Sequence, residues 1–149
     1  MGHYGLELQE EKSQLIEFGR FAKENAAKGG RKPETFDFLG FTYYCLVNRN
    51  GKFRVKRITS RKKFRNKCRE VHTYIKENRH MPVDVLAKKL NQILVGYYYY
   101  YGIVDNSTGI GCFYIDVSRT LFHWLNRRSN HRSFIWEGYN EMMKLHTLT

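Results

Sequence analysis

The spacing of apolar residues changes period near residue 60. Before it, Phe53 and Val55 alternate with Lys52, Arg54 and Lys56, the period of a half-buried strand. After it, Phe64, Cys68, Val71 and Ile75 recur at the spacing of one helix face. Two β-rich runs, FTYYCLVN and KFRVKRI, flank Asn50-Gly51, which predicts a hairpin over about 41–48 and 52–58 closed by a type I′ turn. Thr59 or Ser60 is then placed to cap a helix running to about Asn78.

Pro82 suits the first turn of a second helix, with Leu86, Leu90, Ile93, Tyr97 and Tyr101 on one face and Gly102 at its end. A turn, IVDNSTG, offers Asn106 or Ser107 as cap for a third helix from about Gly109 to Arg128, burying Ile110, Phe113, Val117, Leu121 and Trp124. Asn130-His131-Arg132 breaks it, and Ser133 caps a last short helix with Trp136, Tyr139 and Met143 on a common face. Ahead of the hairpin the pattern is less decided. Gly5 to Leu8 reads as the approach to a strand. Leu15, Ile16, Phe18 and Phe21 fit a strand ending at Gly19 or a short helix, with strand the expected form, and Ala26 to Lys32 reads as a glycine and cation loop. The expected class is α+β, short strands and a β-hairpin followed by a bundle of three to four helices.

Charge turns this layout into a functional expectation. The chain of 149 residues carries a formal net charge of +12. From Arg49 to Arg69 there are eleven Lys or Arg and no Asp or Glu, so the surplus is a site and not an average over the surface. Such a run is either a solvated charged face or a phosphate-binding one, and its mounting on patterned elements favours nucleic acid. In GYYYYYG the pattern packs Tyr97, Tyr98 and Tyr101 and frees Tyr99 and Tyr100, which are core neighbours or stacking partners for RNA bases. Arg127, Arg128 and Arg132 form a second cluster at a helix end, where phosphate contact and complementing the helix dipole are both open readings.

Enzymatic chemistry finds little footing. The six histidines show no HExxH or HxH spacing, and Cys45, Cys68 and Cys112 form no CxxC pair, so neither a metal site nor a disulfide framework is expected. Asp37, Asp84, Asp105 and Asp116 stand apart, read as caps or surface charges and not as ligands of paired metals. No cofactor is expected. No apolar run approaches the roughly 20 residues of a membrane span, and a soluble, cytoplasmic protein is the expectation.

Taken together, GLELQEEKS, FDFLGF, the basic hairpin and helix, LNQILVGYYYYYG and FHWLNRRSNHRSFIW resemble the carboxy-terminal part of group II intron-encoded reverse transcriptase/maturases, over about Gly5 to Leu145. In that family the Lys of an EKT element closes the palm, matched here by Glu11-Lys12-Ser13 with Ser for the usual Thr. Phe38 to Phe41 resembles the primer-grip region, and the helices that follow look like the thumb, or maturase domain X, an RNA clamp. The resemblance implies a palm remnant over 1–58 and a thumb over 59–149. It places the fingers and most of the palm, with the Tyr-Ala-Asp-Asp metal motif, before Met1, so this chain is not expected to polymerise alone.

The expected function is therefore clamping of group II intron RNA in splicing. The alternatives are a piece of a reverse transcriptase needing a separate palm and fingers chain, or a general nucleic-acid-binding module. The expected partner is intron RNA or an RNA/DNA duplex, without a membrane. The candidate RNA-binding residues are Lys52, Arg54, Lys56, Arg57, Arg61, Lys62, Lys63, Arg65, Arg69, Tyr99, Tyr100, Arg127, Arg128 and Arg132.

Overall fold

The first regular element departs from the expectation. In the computed structural model, which describes residues 15–48, 50–128 and 134–145, residues 15–18 form no strand and helix α1 runs Ala22–Lys28 after a turn at Gly19. The apolar residues at 15, 16 and 18 suggested a strand, but AKENAAK is rich in strong helix formers and decides the local structure. The expected loop therefore starts later, at Gly29, whose N–H donates to the Asn25 carbonyl at 3.2 Å. Gly5 to Leu8, Glu11-Lys12-Ser13, Asn130 to Ser133 and Arg49 lie outside the described residues.

The chain divides into two compact units, residues 1–56 and 57–149. In the first, β1 (Thr35–Phe38) pairs antiparallel with β2 (Phe41–Val47), Thr35 opposite Tyr44 and Phe38 opposite Phe41. The connecting residues Leu39 and Gly40 have φ of 48° and 81°. Both positive values are what a two-residue type I′ turn requires. The sequence suggested that turn at Asn50-Gly51 instead. There three residues lie between the closing pair: the Asn48 N–H donates to the Lys52 carbonyl at 2.8 Å, the Gly51 N–H donates to the Asn48 carbonyl at 2.9 Å, and Gly51 has φ of 72°. Asn50 is not among the residues with positive φ, so a single glycine takes the left-handed position of a three-residue loop.

The hairpin itself stands as predicted, with β3 at Phe53–Thr59, and the sheet order is β1-β2-β3. Phe36 meets Phe18 edge-on and stacks on Tyr43 at 5.0 Å, while Phe41 and Cys45 are buried. Cover is thin elsewhere. Phe53 and Val55, expected to be half-buried, each keep 37% exposure.

In the second unit Ser60 caps α2 (Arg61–Asn78), its Oγ accepting from the Lys63 N–H at 3.4 Å. Helix α3 (Val83–Tyr101) starts just after Pro82, where a missing N–H goes unnoticed. It stops at Gly102, whose N–H donates to the Tyr98 carbonyl at 2.7 Å; a Cβ there would run into that same oxygen, so only glycine fits. Helix α4 (Ser107–Leu125) begins earlier and ends sooner than predicted, because a 3-10 turn at Val104–Asn106 leads straight into it. Helix α5 spans Trp136–Leu145.

Asn106 needs a correction. It stands at the N-cap position of α4 but its side chain makes no capping bond. Instead it is buried: its Oδ1 accepts from the Thr59 N–H at 3.0 Å, and its Nδ2 donates to Thr59 Oγ1 at 2.7 Å and to the Tyr101 carbonyl at 3.0 Å. This polar knot ties the last residue of β3 to the α3–α4 connection.

Around it, α2 and α3 each pack on α4, and Ile75, Leu86, Leu90, Leu94, Phe113, Leu121, Leu125 and Tyr139 are wholly buried. Tyr97 stacks on Phe113 with ring centroids 3.9 Å apart. Burying each such side chain stabilises by roughly 1.5–3 kcal/mol, which is what holds the four helices in one body. On α5, Tyr139 and Met143 are buried as predicted, while Trp136 stays 44% exposed and stacks on Tyr139 at 5.3 Å.

Candidate nucleic-acid interface

Helix α2 turns Phe64, Cys68, Val71, Tyr74 and Ile75 inward and leaves most of its other positions to water. Arg61, Lys62, Lys63, Arg65 and Arg69 are all exposed. Lys67 is held by Glu70 at 2.9 Å; the other five make no ion pair with a described residue. The first turn holds no acid, although the amino end of a helix already carries about half a positive charge. Stacking Arg61, Lys62 and Lys63 there is unfavourable for the free protein. A phosphate backbone would reverse the sign of that term.

In the first unit Lys52 and Arg54 are exposed and Lys56 is half-buried, along or beside β3. Arg57, which opens the second unit, is exposed. In the tyrosine run, Tyr97 is 4% exposed and Tyr98 and Tyr101 are half-buried, whereas Tyr99 is 88% and Tyr100 55% exposed. Burial pushes the pKa of Tyr97, Tyr98 and Tyr101 up, and the Tyr97 hydroxyl lies 3.4 Å from Thr59 Oγ1. The run thus splits into packed and outward residues as the helical period demands.

The second cluster resolves into different roles. The Arg127 guanidinium lies over the Trp124 ring, 5.7 Å from its centroid. Arg128 instead donates to the Met81 carbonyl at 2.6 Å, tying the end of α4 to the α2–α3 connection, and desolvation lowers its pKa. Arg132 lies outside the described residues. Sequence reasoning missed Lys76 and Arg79, at 6.0 Å and 5.4 Å from the same Trp124 ring. Their spacing from Arg69 along α2 was the available signal.

Among the described residues no three His, Cys, Asp or Glu side chains come together as a metal-holding group. Cys45, Cys68 and Cys112 are free. Burial, then a hydrogen bond and the charge of Asp116, pushes the Cys68 thiol up to about 12. No described helix is long and apolar enough to cross a membrane.

The family model of the group II intron, maturase-specific domain, matches residues 61–141, more than half of the 149-residue chain. The chain belongs to this family. The maturase-specific domain begins with the first residue of α2 and runs into α5, so it takes in the cationic helix, the tyrosine run and the Trp124 cluster. Maturase function in group II intron splicing, with interaction with intron RNA, is the role this family supports. Neither the comparison with curated proteins nor that with solved structures gave a match.

Proposed function

We propose that this maturase-specific domain binds intron RNA directly, clamping its phosphate backbone through the amino-terminal half of α2. One observation carries the reading: Arg61, Lys62, Lys63, Arg65 and Arg69 are exposed together, without an acid in the first turn and without an ion pair among the described residues. Cations left unneutralised at the positive end of a helix dipole are a cost in the free protein that a polyanion removes. Lys52, Arg54, Lys56 and Arg57 continue the run towards the amino terminus and take further phosphates. Tyr99 and Tyr100 offer ring faces for unstacked bases, and Arg127 adds a contact near the end of α4. Arg128, bonded to Met81, positions the chain end more than it meets RNA, and Arg132 completes the set on sequence grounds.

In the same proposal, residues 1–58 are the end of a palm with a primer-grip-like hairpin, and residues 59–149 are the thumb, or maturase X, domain. Exposure in the sheet supports a further partner. Phe38 and Leu39 are 57% and 66% exposed, and Phe53 and Val55 each 37%, apolar surface that a palm and fingers segment or chain would cover. Such an assembly would also hold an RNA/DNA duplex, with the carboxylates for two-metal chemistry supplied outside the residues described.

The test is binding of the purified chain to a folded group II intron RNA across a salt series, competed with an unrelated duplex of equal length. A steep salt slope with preference for the intron, weakened by Arg61→Glu with Lys62→Glu, is the expected result. Equal affinity for both RNAs reduces the domain to a general basic module. No binding at moderate salt removes the RNA-clamp reading.

A further inference from the structure

Basic side chains recur along α2 and at Arg79, just past its last residue. Arg61, Arg65, Arg69, His72, Lys76 and Arg79 follow one another at spacings of 4, 4, 3, 4 and 3 residues, which keeps them on one flank of a 3.6-residue helix. All six are exposed. By the same period Glu70 and Glu77 fall away from this flank, and Glu70 is already taken by Lys67. The stripe is therefore free of acids from end to end.

At its far end the stripe meets Trp124 of α4. Lys76 Nζ, Arg79 Cζ and Arg127 Cζ lie 6.0, 5.4 and 5.7 Å from the ring centroid, and the His72 and His123 rings lie 5.8 and 5.4 Å away. Trp124 is 9% exposed, and its buried Nε1–H has no acceptor among the described residues. The bland account is that cations complement the negative ends of α2 and α4, each by about 0.3–1 kcal/mol. That account explains cations at these positions. It leaves three unexplained features: their convergence on one ring, the orphaned indole N–H, and the continuation of the same flank to the helix end where cations are disfavoured. A guanidinium lying on an indole face keeps its N–H edge free, so Arg79 and Arg127 can both donate to phosphate oxygens while Lys76 supplies a point charge.

We propose that the Trp124 cluster is a second RNA-phosphate site, held by the 18 residues of α2 at about 27 Å from the first. This rests on the RNA-binding reading of α2 and adds a demand on the RNA: its backbone must pass both ends of the helix. A duplex of about 16 base pairs presents two successive minor grooves with their phosphates, whereas one of about 8 does not.

The test compares those two RNA duplexes, by fluorescence anisotropy over a salt series, on the full chain and on its Arg79→Gln, Arg127→Gln variant. The wild type is expected to favour the longer duplex roughly tenfold, and the variant to lose that advantage. On the longer duplex the slope of log affinity against log salt becomes shallower by about 1–2, with no change on the shorter. A variant that binds the longer duplex like the wild type overturns the proposal, as does an equal loss on both lengths. Retained binding of the short duplex in either case leaves the first site standing, while no binding by the wild type sinks both. Lys76→Gln is the second variant if the pair fails to fold. A Trp136→Phe background leaves Trp124 as the one fluorescent indole, and its emission is expected to change with the long duplex and to stay constant with the short.

Discussion

The helical unit, residues 57–149, closes its apolar residues on one another: α2, α3 and α4 leave Ile75, Leu90, Phe113 and Leu121 without exposure, and α5 adds Tyr139. In residues 1–56 the described apolar residues that reach comparable burial are Ala22, Phe41 and Cys45. The difference is geometric. A helix has one apolar stripe to cover, and three others suffice to cover it. A three-stranded sheet has two faces, and one seven-residue helix, α1, shelters a small part of one of them. The family match begins at α2, where a self-sufficient core also begins.

Core truncations should separate the units most widely. Phe113→Ala or Tyr139→Ala is expected to destabilise the helical unit by about 3–5 kcal/mol in denaturant unfolding, because each leaves a cavity in a closed core. Phe38→Ser should cost almost nothing by the same measurement. If Phe38→Ser destabilised as strongly as Phe113→Ala, the contrast between the units would be wrong.

The next effect concerns the knot at Asn106. Asn106→Ala removes its three hydrogen bonds and leaves the Thr59 N–H buried without an acceptor, which should cost about 2–3 kcal/mol by the same measurement. This is also where sequence reading reached its limit. Asn106 was expected as a cap because capping chemistry is local, and a local pattern contains nothing about Thr59, 47 residues away. The helices were legible for the opposite reason: Leu86, Leu90 and Tyr97, or Phe113, Val117 and Leu121, repeat at the helical period without help from tertiary partners.

Turn chemistry was half legible. Asn-Gly located the β2–β3 hairpin but not its loop length, while the two-residue turn fell on Leu39-Gly40, where Gly40 suits the turn and Leu39 does not. Leu39 sits at φ 48°, where a side-chain Cβ is crowded by the backbone. Leu39→Gly should therefore raise the stability of the sheet unit by about 1 kcal/mol, read from hydrogen exchange of the β1–β2 amides. A loss instead would mean that the exposed Leu39 side chain contributes packing that outweighs its conformational cost.

The smallest stability effect gives the sharpest test of function. The exposed cations of the site were readable because charge density and helix period are both local properties, and Arg61, Lys62, Lys63, Arg65 and Arg69 stand where the period put them. The Trp124 cluster was not, since Lys76, Arg79 and Arg127 converge on one ring through the packing of α2 on α4. Arg61→Glu with Lys62→Glu replaces cations in the first turn of α2 by anions, which the helix dipole prefers, and neither side chain is buried. Folding stability should rise by about 0.3–1 kcal/mol at low salt, and that gain should fade as salt is added. RNA affinity should move the other way, with a salt slope shallower by about 2. Opposite signs in one variant cannot come from misfolding, which lowers both. They are expected only if α2 keeps an arrangement unfavourable to itself for the sake of a polyanion.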